Sequence, residues 1–161
     1  MTSTKKIVLV GHFNVGKSSM IRRFVQNVFS DDYLVSIGVH ILKKTVTIAN
    51  KELTLVIWDI EGKESIDSVR ESYLLGTSGF IYVIDPTRTH TYENLASELK
   101  FLSKKYPKVP IVTVCNKADL VDIDHFGQEL SARELAFDFA TSAKTGANIE
   151  SIFFEIAKKM D

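Results

Sequence analysis

The chain alternates short, uniformly apolar runs with stretches in which apolar residues recur every three or four positions. Residues 5–10, Lys-Lys-Ile-Val-Leu-Val, form a β-branched run of the kind buried in a parallel sheet. Further on, Met20, Ile21, Phe24, Val25 and Val28 keep the i, i+3, i+4 spacing of one helical face, with Arg22, Arg23, Gln26 and Asn27 between them. The same reading predicts strands over 5–10, 39–49, 53–59, 80–85, 110–115 and 136–140. It predicts helices over 17–28, 66–75, 92–106, 122–134 and 148–160. The second and third strands are separated by a short turn at Asn50-Lys51 and read as an antiparallel hairpin. Elsewhere strand and helix alternate. The expected fold is therefore α/β: a mixed, mostly parallel six-stranded sheet with about five flanking helices. In such sheets ligands bind beyond the carboxyl ends of the strands.

At those ends lie the residues with candidate chemistry. Residues 11–18, Gly-His-Phe-Asn-Val-Gly-Lys-Ser, match the phosphate-loop pattern G-x-x-x-x-G-K-[ST], between a predicted strand and a predicted helix. Gly11 and Gly16 let the backbone close around an anion, and the N–H groups of Phe13, Asn14, Val15 and Gly16 can form a nest for phosphate oxygens. Lys17 brings a point charge to the outer phosphates, Ser18 can ligate magnesium, and Ser19 extends the lining. The helix N-terminus adds its own attraction for phosphate.

Three later segments narrow the ligand. Trp58-Asp59-Ile60-Glu61-Gly62 closes a strand; Asp59 can hold the ion through water, and the Gly62 N–H can approach the terminal phosphate. Asn116-Lys117-Ala118-Asp119, followed by Leu120, comes directly after another strand. The Asp119 carboxylate can accept the two adjacent N–H groups that guanine offers and adenine does not, which rejects the wrong base strongly. The Lys117 stem can cover the base, and Asn116 can tie this segment to the phosphate loop. In Thr141-Ser142-Ala143-Lys144, the Ala143 N–H can donate to a guanine carbonyl. Between them, the loop 29–38 carries Phe29 to cover the base, Tyr33 to reach over the phosphates and Ser36 as a second direct magnesium ligand.

Together these residues resemble the Ras superfamily of small GTPases along essentially the whole chain. The closest likeness is to Rab-like members: Ser36-Ile37-Gly38-Val39-His40-Ile41 is similar to the Rab segment Thr-Ile-Gly-Val-Asp-Phe, and Trp58 and Tyr73 match two of three effector-facing aromatics, with Ile41 at the third. The resemblance implies the P-loop NTPase fold of a small GTPase G domain, and GTP/GDP as ligand with Mg2+ held by Ser18, Ser36 and Asp59. It implies a switch whose loops 30–38 and 60–73 are ordered by GTP and released on hydrolysis. It also implies effectors at those loops and at Ile41, Trp58 and Tyr73, together with exchange and activating proteins.

The departures from the family surround the hydrolytic water. Of the residues expected to carry catalysis, Lys17, Gly62 and Lys63, the last stands where the family has Gln. An ammonium has donors only and cannot accept from water as an amide oxygen can. Phe13 replaces a small residue where an arginine finger enters, Glu61 replaces Ala beside the terminal phosphate, and Ser36 replaces Thr. The expectation is a GTPase that binds GTP and GDP, hydrolyses slowly and responds poorly to activating proteins. The alternative is a nucleotide-locked binding or scaffolding module with negligible turnover. A P-loop kinase would need a lid and an arginine cluster and does not predict Asn-Lys-x-Asp.

Composition sets outer bounds. At 161 residues one domain, 1–161, is expected. The 20 basic and 20 acidic residues cancel, leaving no nucleic-acid footprint. The only cysteine, Cys115, lies inside an apolar run, which excludes a disulfide framework and points to a reducing cytoplasm. No apolar segment is long enough to span a membrane, and 157–161 offers neither a cysteine for lipid nor a basic tail. The expected location is cytoplasmic, with no anchor in the given chain and membrane recruitment through partners or a missing tail. His12, His40, His90 and His125 are scattered and read as ordinary polar positions. The stretch 93–105 reads as a surface helix, apolar at Leu95, Leu99 and Leu102 and charged opposite.

Overall fold

The computed structural model describes residues 3–27, 39–60, 66 and 69–160. Phe29, Tyr33, Ser36, Glu61, Gly62 and Lys63 lie outside the described residues.

The elements run β1 (Ser3–Val10), α1 (Lys17–Gln26), β2 (Val39–Ile48), β3 (Lys51–Ile60), α2 (Glu71–Leu74), β4 (Gly79–Ile84), α3 (Leu95–Lys105), β5 (Ile111–Cys115), α4 (Ile123–Ala132), β6 (Phe139–Ala140) and α5 (Ile149–Lys159). They build one six-stranded sheet in the order β2-β3-β1-β4-β5-β6. Only β2 runs antiparallel to its neighbour. This is the mixed, mostly parallel six-stranded α/β sheet expected from the sequence.

Alternation along β1 explains the layering. Ile7 and Leu9 face a core shared with Met20, Ile21 and Phe24 of α1 and Ile152, Phe153 and Ile156 of α5. Val8 and Val10 face the other side, with Phe80, Tyr82, Leu95, Leu102 and Phe126. Successive strand residues point to opposite faces, so a strand covered on both sides must be apolar throughout. Phe24 stacks on Phe153 at 4.1 Å between centroids, joining α1 to α5.

Several boundaries differ from the pattern-based reading. The hairpin turns at Ala49-Asn50, both with positive φ (50° and 64°), and Ile48 pairs with Lys51. That is a two-residue turn whose twist matches the strands, and it starts β3 two residues before the expected 53. Among the described residues, the helix expected over 66–75 is α-helical only at Glu71–Leu74, with Ile66 in a 3₁₀ conformation. The helix expected from 92 starts at Leu95, because Thr89–Thr91 forms a separate 3₁₀ turn that leads back from the end of β4. The strand expected over 136–140 is Phe139–Ala140 alone. One residue earlier, the Asp138 carboxylate takes the Thr113 N–H at 2.8 Å, which a strand partner's carbonyl would otherwise accept. Helices α1 and α4 end near Asn27 and Glu134, both left-handed.

Candidate functional site

The carboxyl ends of β1, β3, β4, β5 and β6 open on one edge of the sheet, as the pairings Leu9 with Asp59, Val10 with Tyr82, Ile84 with Cys115, and Cys115 with Ala140 require. The loop after β1 depends on its two glycines. A Cβ on Gly11 (φ 147°) would sit 2.4 Å from the Val83 carbonyl oxygen, and one on Gly16 (φ 102°) would sit 2.2 Å from Asn116 Nδ2. Gly16 is the N-cap of α1 and carries no side chain to accept from the helix's first N–H groups. A helix start of this kind suits an anion.

Lys17 is the first residue of α1 and only 5 % exposed. Its Nζ donates to the carbonyls of Gly11 (3.0 Å) and His12 (2.9 Å), curling back over the loop. Burial pushes its pKa down to about 8, with Asp59 opposing and Arg88 adding to the fall. A cation so deeply buried, whose hydrogen-bond partners among the described residues are carbonyls, favours an arriving anion. Beside it the Ser18 hydroxyl donates to Asp59 Oδ2. A hydroxyl and a buried carboxylate side by side form an all-oxygen donor set that fits magnesium.

The segments after β5 and β6 are built onto this loop. Asn116 donates from Nδ2 to the Val15 carbonyl at 3.0 Å, the tie expected from the sequence. Its Oδ1 accepts from Thr141 Oγ1 (3.2 Å) and from the Ala143 N–H (3.3 Å). The Ala143 donor expected to face a base carbonyl is thus engaged, through a long bond, with Asn116. Lys117, left-handed at φ 59°, donates from Nζ to the Asn14 carbonyl (2.9 Å) and to Asp85 Oδ2 (2.8 Å). Asp119 is exposed and accepts from Ser142 Oγ at 2.8 Å; Leu120 beside it is 59 % exposed. Phe13 is 49 % exposed, at the outer lip of the loop.

Four residues to which the sequence reading gives no site role make long-range contacts here. Asp85, at the end of β4 and fully buried, anchors Lys117. Arg88 donates to the Phe13 and Asn14 carbonyls. Arg23, on α1, donates from Nε to the Ala143 carbonyl at 2.8 Å and from Nη2 to the Lys144 carbonyl, fastening that loop to the phosphate-loop helix. Glu98 of α3 is buried, not on a charged outer face, and accepts the Ile66 N–H at 3.0 Å. The position of Asp85 at a strand end was a signal open to sequence reasoning; Arg23 and Arg88 carried none. The histidines are not all scattered either: His12 is buried, and its ring meets the edge of His90 at 5.6 Å.

A family model described as the Ras family matches residues 6–161. The chain belongs to that family. Ras-related protein SEC4 of Saccharomyces cerevisiae is 35% identical over 162 residues, covering 97% of this chain and 74% of that protein. Ras-related protein RABA4d of Arabidopsis thaliana is 35% identical over 156 residues, covering 94% and 70%. Ras-related protein Rab-4A of Danio rerio is 34% identical over 164 residues, covering 96% and 75%. The protein is thus a Rab-like small GTPase, a GTP-binding switch that hydrolyses GTP to GDP. Ras-family GTPases bind GTP and GDP, generally with Mg2+, and act with effectors, exchange factors and activating proteins.

In this GTPase the three residues expected to meet effectors are neighbours. Ile41 on β2 pairs with Trp58 on β3, and the Trp58 ring lies 6.3 Å from that of Tyr73. Ile41 is 48 % exposed. Lys6 places Nζ 3.7 Å from the Trp58 ring centre and donates to the Tyr73 and Leu75 carbonyls, both at 2.7 Å. Among the described residues no helix is long and apolar enough to cross a membrane.

Proposed function

We propose that the Gly11–Ser18 loop receives the phosphates of GTP or GDP and that the segment from Asn116 to Leu120, with Ser142, Ala143 and Lys144, receives guanine. The observation that carries this reading is the bond from Asn116 Nδ2 to the Val15 carbonyl. It fastens the segment suited to a base to the loop suited to phosphates, so one ligand spans both. The N–H groups from Phe13 to Ser19 face the phosphates and Lys17 neutralises the outer charge. Ser18 and Asp59, joined by Ser36, would hold magnesium, whose charge would offset that of the phosphates. Asp119 reads the base, and Phe29, Tyr33 and Gly62 complete the enclosure. The chain acts as one domain, a reading supported by the single sheet that takes every strand among the described residues.

Turnover is slow in this reading. Lys63 offers donors and no acceptor to the attacking water, Glu61 sets a carboxylate near the terminal phosphate, and the Phe13 ring stands at the mouth of the loop. Effectors engage Ile41, Trp58 and Tyr73 and the loops 30–38 and 60–73. The location is cytoplasmic, with membranes reached through partners or a tail beyond this chain, and nucleic acid is not a ligand.

Chromatography of the nucleotide released on denaturing the purified protein tests the ligand. GDP or GTP is expected, and ATP would overturn the guanine reading. Single-turnover GTP hydrolysis tests the rate: Lys63→Gln is expected to be faster than wild type, and a wild type as fast or faster removes the argument from Lys63. GTP that survives purification and is not turned over by wild type would favour the nucleotide-locked module. Glu61→Ala should raise affinity for GTP relative to GDP.

A further inference from the structure

We propose that Arg88 is a positioning residue for nucleotide retention, acting on the phosphate loop through the Phe13 and Asn14 carbonyls. The proposal rests on the reading of Gly11–Ser18 as the phosphate cradle. Arg88 belongs to none of the motifs and lies in the connection from β4 to α3. Its Nη1 donates to the Phe13 carbonyl at 2.9 Å and to the Asn14 carbonyl at 3.0 Å.

Peptide geometry turns these outer contacts into an inner effect. In a trans peptide the carbonyl of one residue points opposite to the N–H of the next. A guanidinium that draws the Phe13 and Asn14 carbonyls to one side therefore turns the N–H groups of Asn14 and Val15 to the other. Asn14 has φ 60°, a region that a non-glycine residue populates sparsely, so this part of the loop needs to be held. Lys117 Nζ grips the same Asn14 carbonyl from a second direction at 2.9 Å.

Arg88 is itself held on every side that matters. Its N–H donates to the Asp85 carbonyl at 3.1 Å, and its own carbonyl accepts from the Thr91 N–H (3.0 Å) and Thr91 Oγ1 (2.8 Å). Nη2 lies 3.1 Å from His90 Nε2; a guanidinium has no acceptor, so the imidazole accepts. The His90 ring meets His12, the second residue of the loop, edge-on. The buried Asp85 carboxylate lies 3.8 Å from Nη1. The side chain is 28% exposed, so little order remains to be gained when nucleotide arrives. Its charge also reaches Lys17, whose pKa it helps to lower. Loaded with an anion, the cradle relieves that repulsion.

The experiment compares wild type, Arg88→Ala, Arg88→Lys and Lys17→Ala, each loaded with a fluorescent GDP or a fluorescent non-hydrolysable GTP analogue. Release is followed after addition of excess unlabelled nucleotide at fixed magnesium, and melting temperature is recorded alongside. Loss of charge-assisted bonds to two carbonyls should speed release from Arg88→Ala by on the order of tenfold for both nucleotides. Arg88→Lys, which keeps the charge and one donor point, should release more slowly than Arg88→Ala. A purely structural role would lower the melting temperature and leave release unchanged. Release from Arg88→Ala within twofold of wild type, while Lys17→Ala releases fast, overturns the role of Arg88 alone. Unchanged release from Lys17→Ala overturns the cradle reading with it.

Discussion

The fully buried carboxylate of Asp85 accepts a hydrogen bond from Lys117 Nζ at 2.8 Å, and the same ammonium donates to the Asn14 carbonyl. One ion pair thus links the end of β4 to both the Gly11–Ser18 loop and the segment after β5. Burial acts to raise the Asp85 pKa, but hydrogen bonds from Lys117 and Thr87 outweigh it and hold the carboxyl below its ordinary value. Lys117 is 27% exposed and can be rehydrated, so Asp85→Ala, which removes the charge-assisted bonds to the carboxylate, should cost about 2 kcal/mol in urea denaturation. A depressed carboxyl pKa stabilises the fold above the unfolded-state value and loses that contribution as pH falls through the folded value. The stability advantage of wild type over Asp85→Asn should therefore be constant near neutrality and shrink below about pH 4. An advantage that grows toward acid would contradict the pairing.

Glu98 makes a second buried contact, from α3 to the Ile66 N–H. Both residues are 6 % exposed, so the acceptor for that N–H is not readily replaced by water. An orphaned buried donor costs about 1–3 kcal/mol. In hydrogen-exchange measurements, Glu98→Ala should therefore speed exchange of the Ile66 amide by tenfold or more relative to wild type. Glu98→Gln retains an acceptor oxygen and should keep most of the protection. Equal exchange in all three proteins would show that the carboxylate does not hold Ile66.

The strands and the phosphate loop were legible in the sequence because local pattern determines them. A β-branched run such as 7–10 is buried on both faces wherever it packs, and Gly11, Gly16, Lys17 and Ser18 stand at short fixed spacings directly after it. What stayed hidden was set by distant partners. The strand expected over 136–140 loses its first residues because Asp138 spends its side chain on Thr113, 25 residues away in sequence. Glu98 looked like part of a charged face because nothing in 93–105 reveals that Ile66 comes to meet it. Arg23 falls between the apolar positions of the first predicted helix and Arg88 falls in no motif, yet each ends on loop carbonyls, contacts made only once the sheet has brought the strand ends together. Side chain–backbone bonds of this kind leave no periodicity to detect.

Gly16 offers a test of how tightly the two halves of the site are joined. Its φ of 102° disfavours any side chain, and a Cβ would fall 2.2 Å from Asn116 Nδ2, an atom committed to the Val15 carbonyl. The Asn116 amide is 2 % exposed and has little room to retreat. Gly16→Ala should thus weaken GDP binding by roughly five- to a hundredfold, since a strained φ alone costs about 1–3 kcal/mol. The double variant Gly16→Ala with Asn116→Ala removes the clash but not the strain or the lost tie, so affinity should stay low. Recovery to wild-type binding would show that the Asn116 contact is dispensable.

Cys115 reports on the same region from inside the core. It is fully buried at the end of β5, one residue before Asn116, and burial, aided by the charge of Asp85, pushes its thiol pKa up to about 12. At pH 8 the native thiolate fraction is then on the order of one in ten thousand, and access is closed as well. A disulfide reagent should label the native protein only through transient opening and should consume one equivalent once urea unfolds the chain. In the unfolded protein the labelling rate should level off above about pH 9, where a free thiol is mostly ionised. Because Asn116 ties β5 to the phosphate loop, saturating GDP should slow native-state labelling relative to nucleotide-free protein. A thiol that reacts rapidly in the native protein, or at the same rate with and without GDP, would show that the nucleotide does not secure the end of this strand.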